Sequence, residues 1–236
     1  MNKFAKYIAI GLVLVSQYAF AIFDECLDYF PHQITPTTAQ KGRALCFDSF
    51  AVFYSPETKK PIYTIEKLNQ ERLQSANHSR TNLFYEEARL PSHERAHLED
   101  YRGSGFDRGH NAPAADMPSE RAMAQSFSLA NMMPQAPENN RGIWAKAVEK
   151  ATRNYVKRAQ GDVFVYTGSI GEAGTIGRSK IVVPTHLFKL VFDAHRNKAW
   201  AYWVENTNDA KMNRPITYQE LVDRTGIDFG LKSIVN

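Results

Sequence analysis

Asp107-Arg108-Gly109-His110 sets an arginine and a histidine around a glycine at the end of an extended segment. Asn131 follows, then Asn140, which opens a long helical pattern. These residue types suit one kind of chemistry. A histidine of ordinary pKa takes a proton from water near neutral pH. An asparagine offers a single uncharged oxygen. Mg²⁺ prefers oxygen ligands and keeps several of its waters, so one such oxygen beside a substrate phosphate can hold it. A divalent ion there stabilises charge on phosphoryl and leaving oxygens. Base and lightly held metal together fit the hydrolysis of a phosphodiester.

The surrounding chain must position these groups. Residues 50–55 and 61–66 read as strands joined by the turn-forming run Pro56-Glu57-Thr58-Lys59-Lys60-Pro61. Residues 69–105 are polar and irregular, with Pro91, Gly103 and Gly105, and suit a working surface better than a core. Over 141–160, Trp144, Val148, Ala151 and Tyr155 recur at helical spacing, and Gly161 ends the run. Strands are predicted at 163–168, 181–192 and 198–205, the last two joined through a hairpin at 193–197. Thr217 to Glu220 forms a capping box for a short helix that stops at Gly226. Strands and helices mix without strict alternation, which predicts an α+β fold rather than a doubly wound sheet.

Lys3 and Lys6 precede a mostly apolar stretch, and Ala19-Phe20-Ala21 has the small-residue form of a cleavage site. Residues 1–21 therefore read as a signal peptide cleaved after Ala21, with an uncleaved anchor as the alternative. The apolar run falls short of the roughly 20 residues of a membrane span. Residues 22–236 suit one domain. Export would place the protein in a periplasm or outside the cell, with no membrane contact once the leader is gone. The whole chain carries +4, and removing two lysines leaves +2, which permits a polyanionic partner without requiring one. Cys26 and Cys46 are the only cysteines. Export permits a disulfide between them, contributing about 3 kcal/mol in the chain-entropy model. Two buried thiols are the alternative.

DRGHNAPAADM at 107–117 and NMMPQAPENNRGIW at 131–144 resemble the DNA/RNA non-specific endonuclease family, a ββα-metal group. The family pattern D-R-G-H-x-A-P, N-x-x-P-Q and N-x-G/N-x-W is matched in order, and weaker similarity covers most of residues 22–236. The resemblance implies a central antiparallel sheet flanked by helices and an Mg²⁺-dependent enzyme, with Mn²⁺ as a substitute ion. DNA and RNA would be its substrates, cut to leave 5′-phosphates. A homodimer stays open. By the same resemblance His110 is the general base, Asn140 the direct metal ligand and Asn131 an ordering residue near the base. Arg108 would contact or brace the phosphate region, and Arg80 and Arg153 would serve phosphate binding. Asn139 is the alternative to Asn140.

One position departs from the pattern. The family places a glutamate four residues after the tryptophan, but here that position is Val148 and Glu149 comes one later. At about 100° per residue, Asn140 and Glu149 would lie roughly 180° apart on a regular helix. A π-type irregularity between Trp144 and Glu149 would bring them together. Two other function classes compete. His93-Glu94-Arg95-Ala96-His97 is a formal H-E-x-x-H match, which on a helix would hold zinc for a peptidase. A nucleic-acid-binding protein without cleavage is the other, and His110→Ala separates it from a nuclease.

Overall fold

The computed structural model describes residues 23–232, so the expected signal peptide at 1–21 lies outside the described residues. Eight strands carry the argument: β1 (Arg43–Cys46), β2 (Phe50–Ser55), β3 (Lys60–Leu68), β4 (Asp107–His110), β5 (Met132–Gln135), β6 (Val163–Ile170), β7 (His186–Asp193) and β8 (Lys198–Glu205). Three helices join them: α1 (Glu120–Ser126), α2 (Lys150–Val156) and α3 (Tyr218–Thr225). A π-helix, Asn139–Glu149, runs directly into α2.

Six strands form one antiparallel sheet in the order β8-β7-β6-β3-β2-β1. Alternation along each strand divides its side chains between two faces. Phe164, Tyr166, Phe188, Leu190 and Phe192 enter a core that α3 closes with Tyr218 and Leu221. Val163, Val165 and Val191 face the other way, against Val156. Beside them Leu187 and Val204 receive Trp144 and Val148. The long helix is therefore laid on the sheet by a row of large apolar side chains. The central part of the predicted 181–192 strand is broken: Ile181–Val182 pairs with Thr175–Ile176, and β7 begins only at His186. Pro184 lies in the gap, where it can donate no ladder hydrogen bond.

Cys26 and Cys46 are joined by a disulfide, which ties the first described turn to β1. The Cys26→Ser/Cys46→Ser variant should lose about 3 kcal/mol of stability. Urea denaturation with and without reductant measures it, and equal midpoints for the variant and the oxidised parent would show that the bridge contributes nothing.

Candidate active site

The two signature strings are brought together by backbone pairing. β4 and β5 form an antiparallel ribbon with Asp107 opposite Gln135 and His110 opposite Met132. The chain then turns into the π-helix, so two strands and a helix make up a ββα unit. Gly109 permits a close approach inside it: a Cβ there would sit 2.1 Å from Gln135 Oε1 and 2.7 Å from its Cβ. Gln135 Nε2 in turn donates to Asn139 Oδ1 at 2.8 Å, and Asn139 donates to the Glu205 carbonyl. Asn139 is thus a buried structural residue at 1 % exposure, and the neighbouring Asn140 is the one that reaches the site.

A pocket of about 200 Å³ is lined by Arg80, Arg108, His110, Asn140, Ala145 and Glu149, among others. Five of the residues singled out in the sequence meet there. His110 is 8 % exposed, with its ring edge-on to Phe127 at 5.0 Å and tilted against Phe84 at 5.8 Å. Its Nε2 has no hydrogen-bond partner among the described residues. Burial, with a smaller contribution from Arg80, pushes its pKa down to about 3, so the ring is neutral near pH 7. The same aromatic pair shelves the arginines. Arg108 lies over Phe84 at 4.2 Å and Arg80 over Phe127 at 5.0 Å.

Asn140 is oriented by Asp107, whose Oδ2 accepts from its Nδ2 at 2.9 Å. The same carboxylate takes two bonds from Arg141, at 2.9 and 2.6 Å. With its nitrogen so engaged, Asn140 keeps its carbonyl oxygen as the free donor atom. An oxygen of this kind, with a nearby carboxylate, matches the hard-ligand preference of Mg²⁺ or Mn²⁺.

The displaced glutamate is explained by winding. An i→i+5 ladder takes roughly 4.4 residues per turn. From Asn140 to Glu149 the helix makes about two full turns, and both residues line one pocket. Glu149 is pushed up to about 7, first by burial, against the pull of Lys189, with Asp116 adding to the rise.

Two expected site residues do not line the pocket itself. Asn131 is fully buried and lines no part of the pocket. Its side chain donates to the Ala112 and Ser126 carbonyls and accepts from the Ala112 N–H, all at 2.9 Å, which fixes the segment after His110. Arg153 does not line the pocket either. It pairs with Asp116 at 3.0 Å and reaches Glu149 at 3.8 Å, bracing carboxylates from below.

Sequence reasoning missed the floor beneath Glu149. Glu66, Asp116 and Lys189 are buried there on three different segments, so no local spacing announces them. Lys189 donates to Thr167 Oγ1 at 2.5 Å. Glu66 has neither carboxylate oxygen bonded to a described residue, and burial holds its pKa well above the usual range. A carboxyl raised in the native state binds a proton there that the unfolded chain has released. That contribution is complete below the unfolded pKa and is lost as pH rises above it. Glu66→Gln should therefore raise Tm at pH 8 by roughly 2–4 °C, the equivalent of about 1 kcal/mol, with little change at pH 4. Equal shifts at both pH values in thermal melts would contradict this.

The H-E-x-x-H match is not a metal site. His93, Glu94 and Arg95 lie in turns and bends, and a helix begins only at Leu98. His97 caps that helix and is held by Glu86 Oε2 at 2.8 Å and the Ser92 carbonyl at 3.0 Å. Glu94 pairs with Arg43. Among the described residues, no group of three or more His, Cys, Asp or Glu is placed to hold a metal ion.

Comparisons with known proteins agree with this geometry. The family model of the DNA/RNA non-specific endonucleases matches residues 32–233. Human mitochondrial Endonuclease G is 36 % identical over 157 residues, covering 61 % of this chain and 52 % of its own. Mitochondrial Nuclease 1 of Schizosaccharomyces pombe is 33 % identical over 205 residues, 80 % of this chain and 61 % of its own. The crystal structure of an EndoG/EndoGI complex superposes with a TM-score of 0.74 at 20 % identity, over 89 % of this chain and 93 % of that one. Fold and site define a ββα-metal protein, and the chain belongs to the DNA/RNA non-specific endonuclease family. It spans about half the length of the first human and bovine relatives, 52 % and 55 %.

The expected periplasmic or secreted location is corrected by these relatives. Human Endonuclease G, the S. pombe enzyme and the Saccharomyces cerevisiae nuclease are all mitochondrial. The export reading rested on the composition of residues 1–21 alone, which lie outside the described residues. Within the described residues, no helix is long and apolar enough to cross a membrane.

Proposed function

We propose that this protein is a sugar-nonspecific endonuclease that hydrolyses DNA and RNA and leaves 5′-phosphate ends. The observation carrying this reading is the single pocket lined by His110, Asn140, Glu149, Arg80 and Arg108. The family membership supports a nuclease acting on nucleic acid.

The roles follow from the chemistry of each group. His110, neutral near pH 7, takes the proton of the attacking water. Arg80 and Arg108 meet the charge of the phosphate, and their aromatic shelves hold them in place. Asn140 Oδ1 would hold the divalent ion, Mg²⁺ or Mn²⁺, and Glu149 would order its waters. Bound there, such an ion supplies Lewis-acid stabilisation of charge on the phosphoryl and departing 3′ oxygens. Contacts aimed at phosphate carry no direct base information, which accounts for acceptance of both sugars. The relatives point to a mitochondrial setting, and a Cys26–Cys46 disulfide would persist best in an oxidising part of it.

Digestion of plasmid DNA and of RNA, with Mg²⁺ and with EDTA, tests the reading. Both polymers should be cut internally with Mg²⁺, and EDTA should stop it. Absence of cleavage by the purified parent protein with either Mg²⁺ or Mn²⁺ would overturn it.

A further inference from the structure

The long helix presents three rows. Trp144, Val148, Thr152 and Val156 are buried against the sheet. Asn140, Ala145 and Glu149 line the pocket, and each has a neighbour one residue further on: Arg141, Lys146 and Lys150. Those three form a row through i+5 spacing in the π segment and then i+4 spacing, so it runs alongside the pocket row. The exposed positions from 141 to 158 are Arg141, Lys146, Lys150, Asn154, Lys157 and Arg158, without a single acid.

An exposed helix face usually mixes signs, because acid and base at i and i+4 support each other. This one forgoes that support. Lys146 and Lys150 are like charges four apart, and neither forms an ion pair among the described residues. Lys157 and Arg158 are accounted for by the helix C-terminus, whose partial charge favours cations. The helix dipole gives no such reason for Arg141 at the N-terminal end or for the two mid-helix lysines. Arg141 is engaged by Asp107. Lys146 and Lys150 remain as cations beside a pocket built for phosphate, with no internal partner.

We propose that Lys146 and Lys150 are a phosphate track, which binds the backbone of the polynucleotide outside the pocket. This rests on the nuclease reading and extends it: the preferred substrate is a polymer long enough to lie along the helix, and small diesters gain nothing from the row. The two lysines neutralise phosphates that are not cleaved, so they act on binding and leave the chemical step alone.

The test uses Lys146→Gln/Lys150→Gln, with Lys41→Gln/Lys232→Gln as a control that removes equal charge elsewhere. Lys41 precedes β1, and Lys232 follows Leu231, which packs in the core on the opposite face of the sheet. Binding of a labelled DNA duplex is followed by fluorescence polarisation in EDTA across salt, and hydrolysis of bis(p-nitrophenyl) phosphate is followed with Mg²⁺. Each neutralised phosphate contributes about 0.9 to the slope of log K against log salt, so the helix variant should lose roughly 1.8. The control should keep the parent slope, and all three proteins should hydrolyse the small diester equally. An unchanged slope, an equal loss in the control, or a slower small-diester reaction in the helix variant would each overturn the proposal. A parent protein that cuts neither this diester nor plasmid DNA with Mg²⁺ would defeat the nuclease reading instead, while the binding arm would still decide the track.

Discussion

His110→Ala should lower kcat for plasmid cleavage by roughly 10²- to 10⁴-fold, the usual contribution of a positioned general base. The size follows from where the ring sits. It lies at the end of β4 in the pocket lined by Arg80, Arg108, Asn140 and Glu149, wedged between Phe84 and Phe127, with Nε2 bonded to no described residue. Burial keeps it unprotonated near pH 7, and the same burial makes it a weaker proton acceptor than the ordinary histidine expected from the sequence. The variant should keep its fold with reduced stability, because the ring gives up packing against Phe84 and Phe127 but no hydrogen bond at Nε2. Duplex binding in EDTA should stay within about twofold, since affinity comes from cations on the backbone. Cleavage at the parent rate by a pure preparation would remove His110 from the mechanism. Loss of binding together with cleavage would make it a structural residue.

Asn140→Ala should cost roughly 10²- to 10³-fold, since a metal's charge stabilisation is worth several kcal/mol. The loss should respond to metal concentration: raising Mg²⁺ should recover part of the rate, and Asn140→Asp, which keeps the oxygen, should recover more. Asp107→Asn should give a weaker form of the same defect. Asp107 fixes which atom of Asn140 faces the pocket, and outer contacts of this kind are typically worth 10- to 100-fold. Asn139→Ala should behave differently. That residue bonds to Gln135 and Glu205 inside the protein, so its loss should appear in thermal melts before it appears in the metal dependence. A metal response confined to the Asn139 variant would exchange the two roles.

Residues whose chemistry travels with local sequence were legible early. Asp107 to His110 and Asn131 to Asn140 lie in short strings, and backbone pairing of β4 with β5 brings them together almost by itself. The strands around 50–68 and 198–205 were legible too, as short runs rich in aromatic and β-branched residues bounded by turn segments. Other features required long-range contacts. Glu66, Asp116 and Lys189 come from separated segments, and only the folded sheet sets them under Glu149. Arg153 has the residue type of a phosphate ligand, yet buried acids claim it first. Asn131 has the residue type of a site amide, and its side-chain bonds to backbone hold the segment after His110 without entering the pocket. The break ahead of β7 is hidden in the apolar run 181–192, where Pro184 interrupts the ladder.

The change of winding in the long helix shows how one residue more than the family pattern can be accommodated. One added residue in a regular helix rotates everything after it by about 100° and would turn a working carboxylate toward the wrong neighbour. Here the ladder widens from Asn139 to Glu149, so the extra residue is absorbed and α2 continues on the same side of the sheet. A position-by-position alignment to the family pattern would find fully buried Val148 where the acid is sought. The acid is present one step later, in the same pocket. Relatives that seem to lack this glutamate should be checked for the same length change before they are counted as inactive.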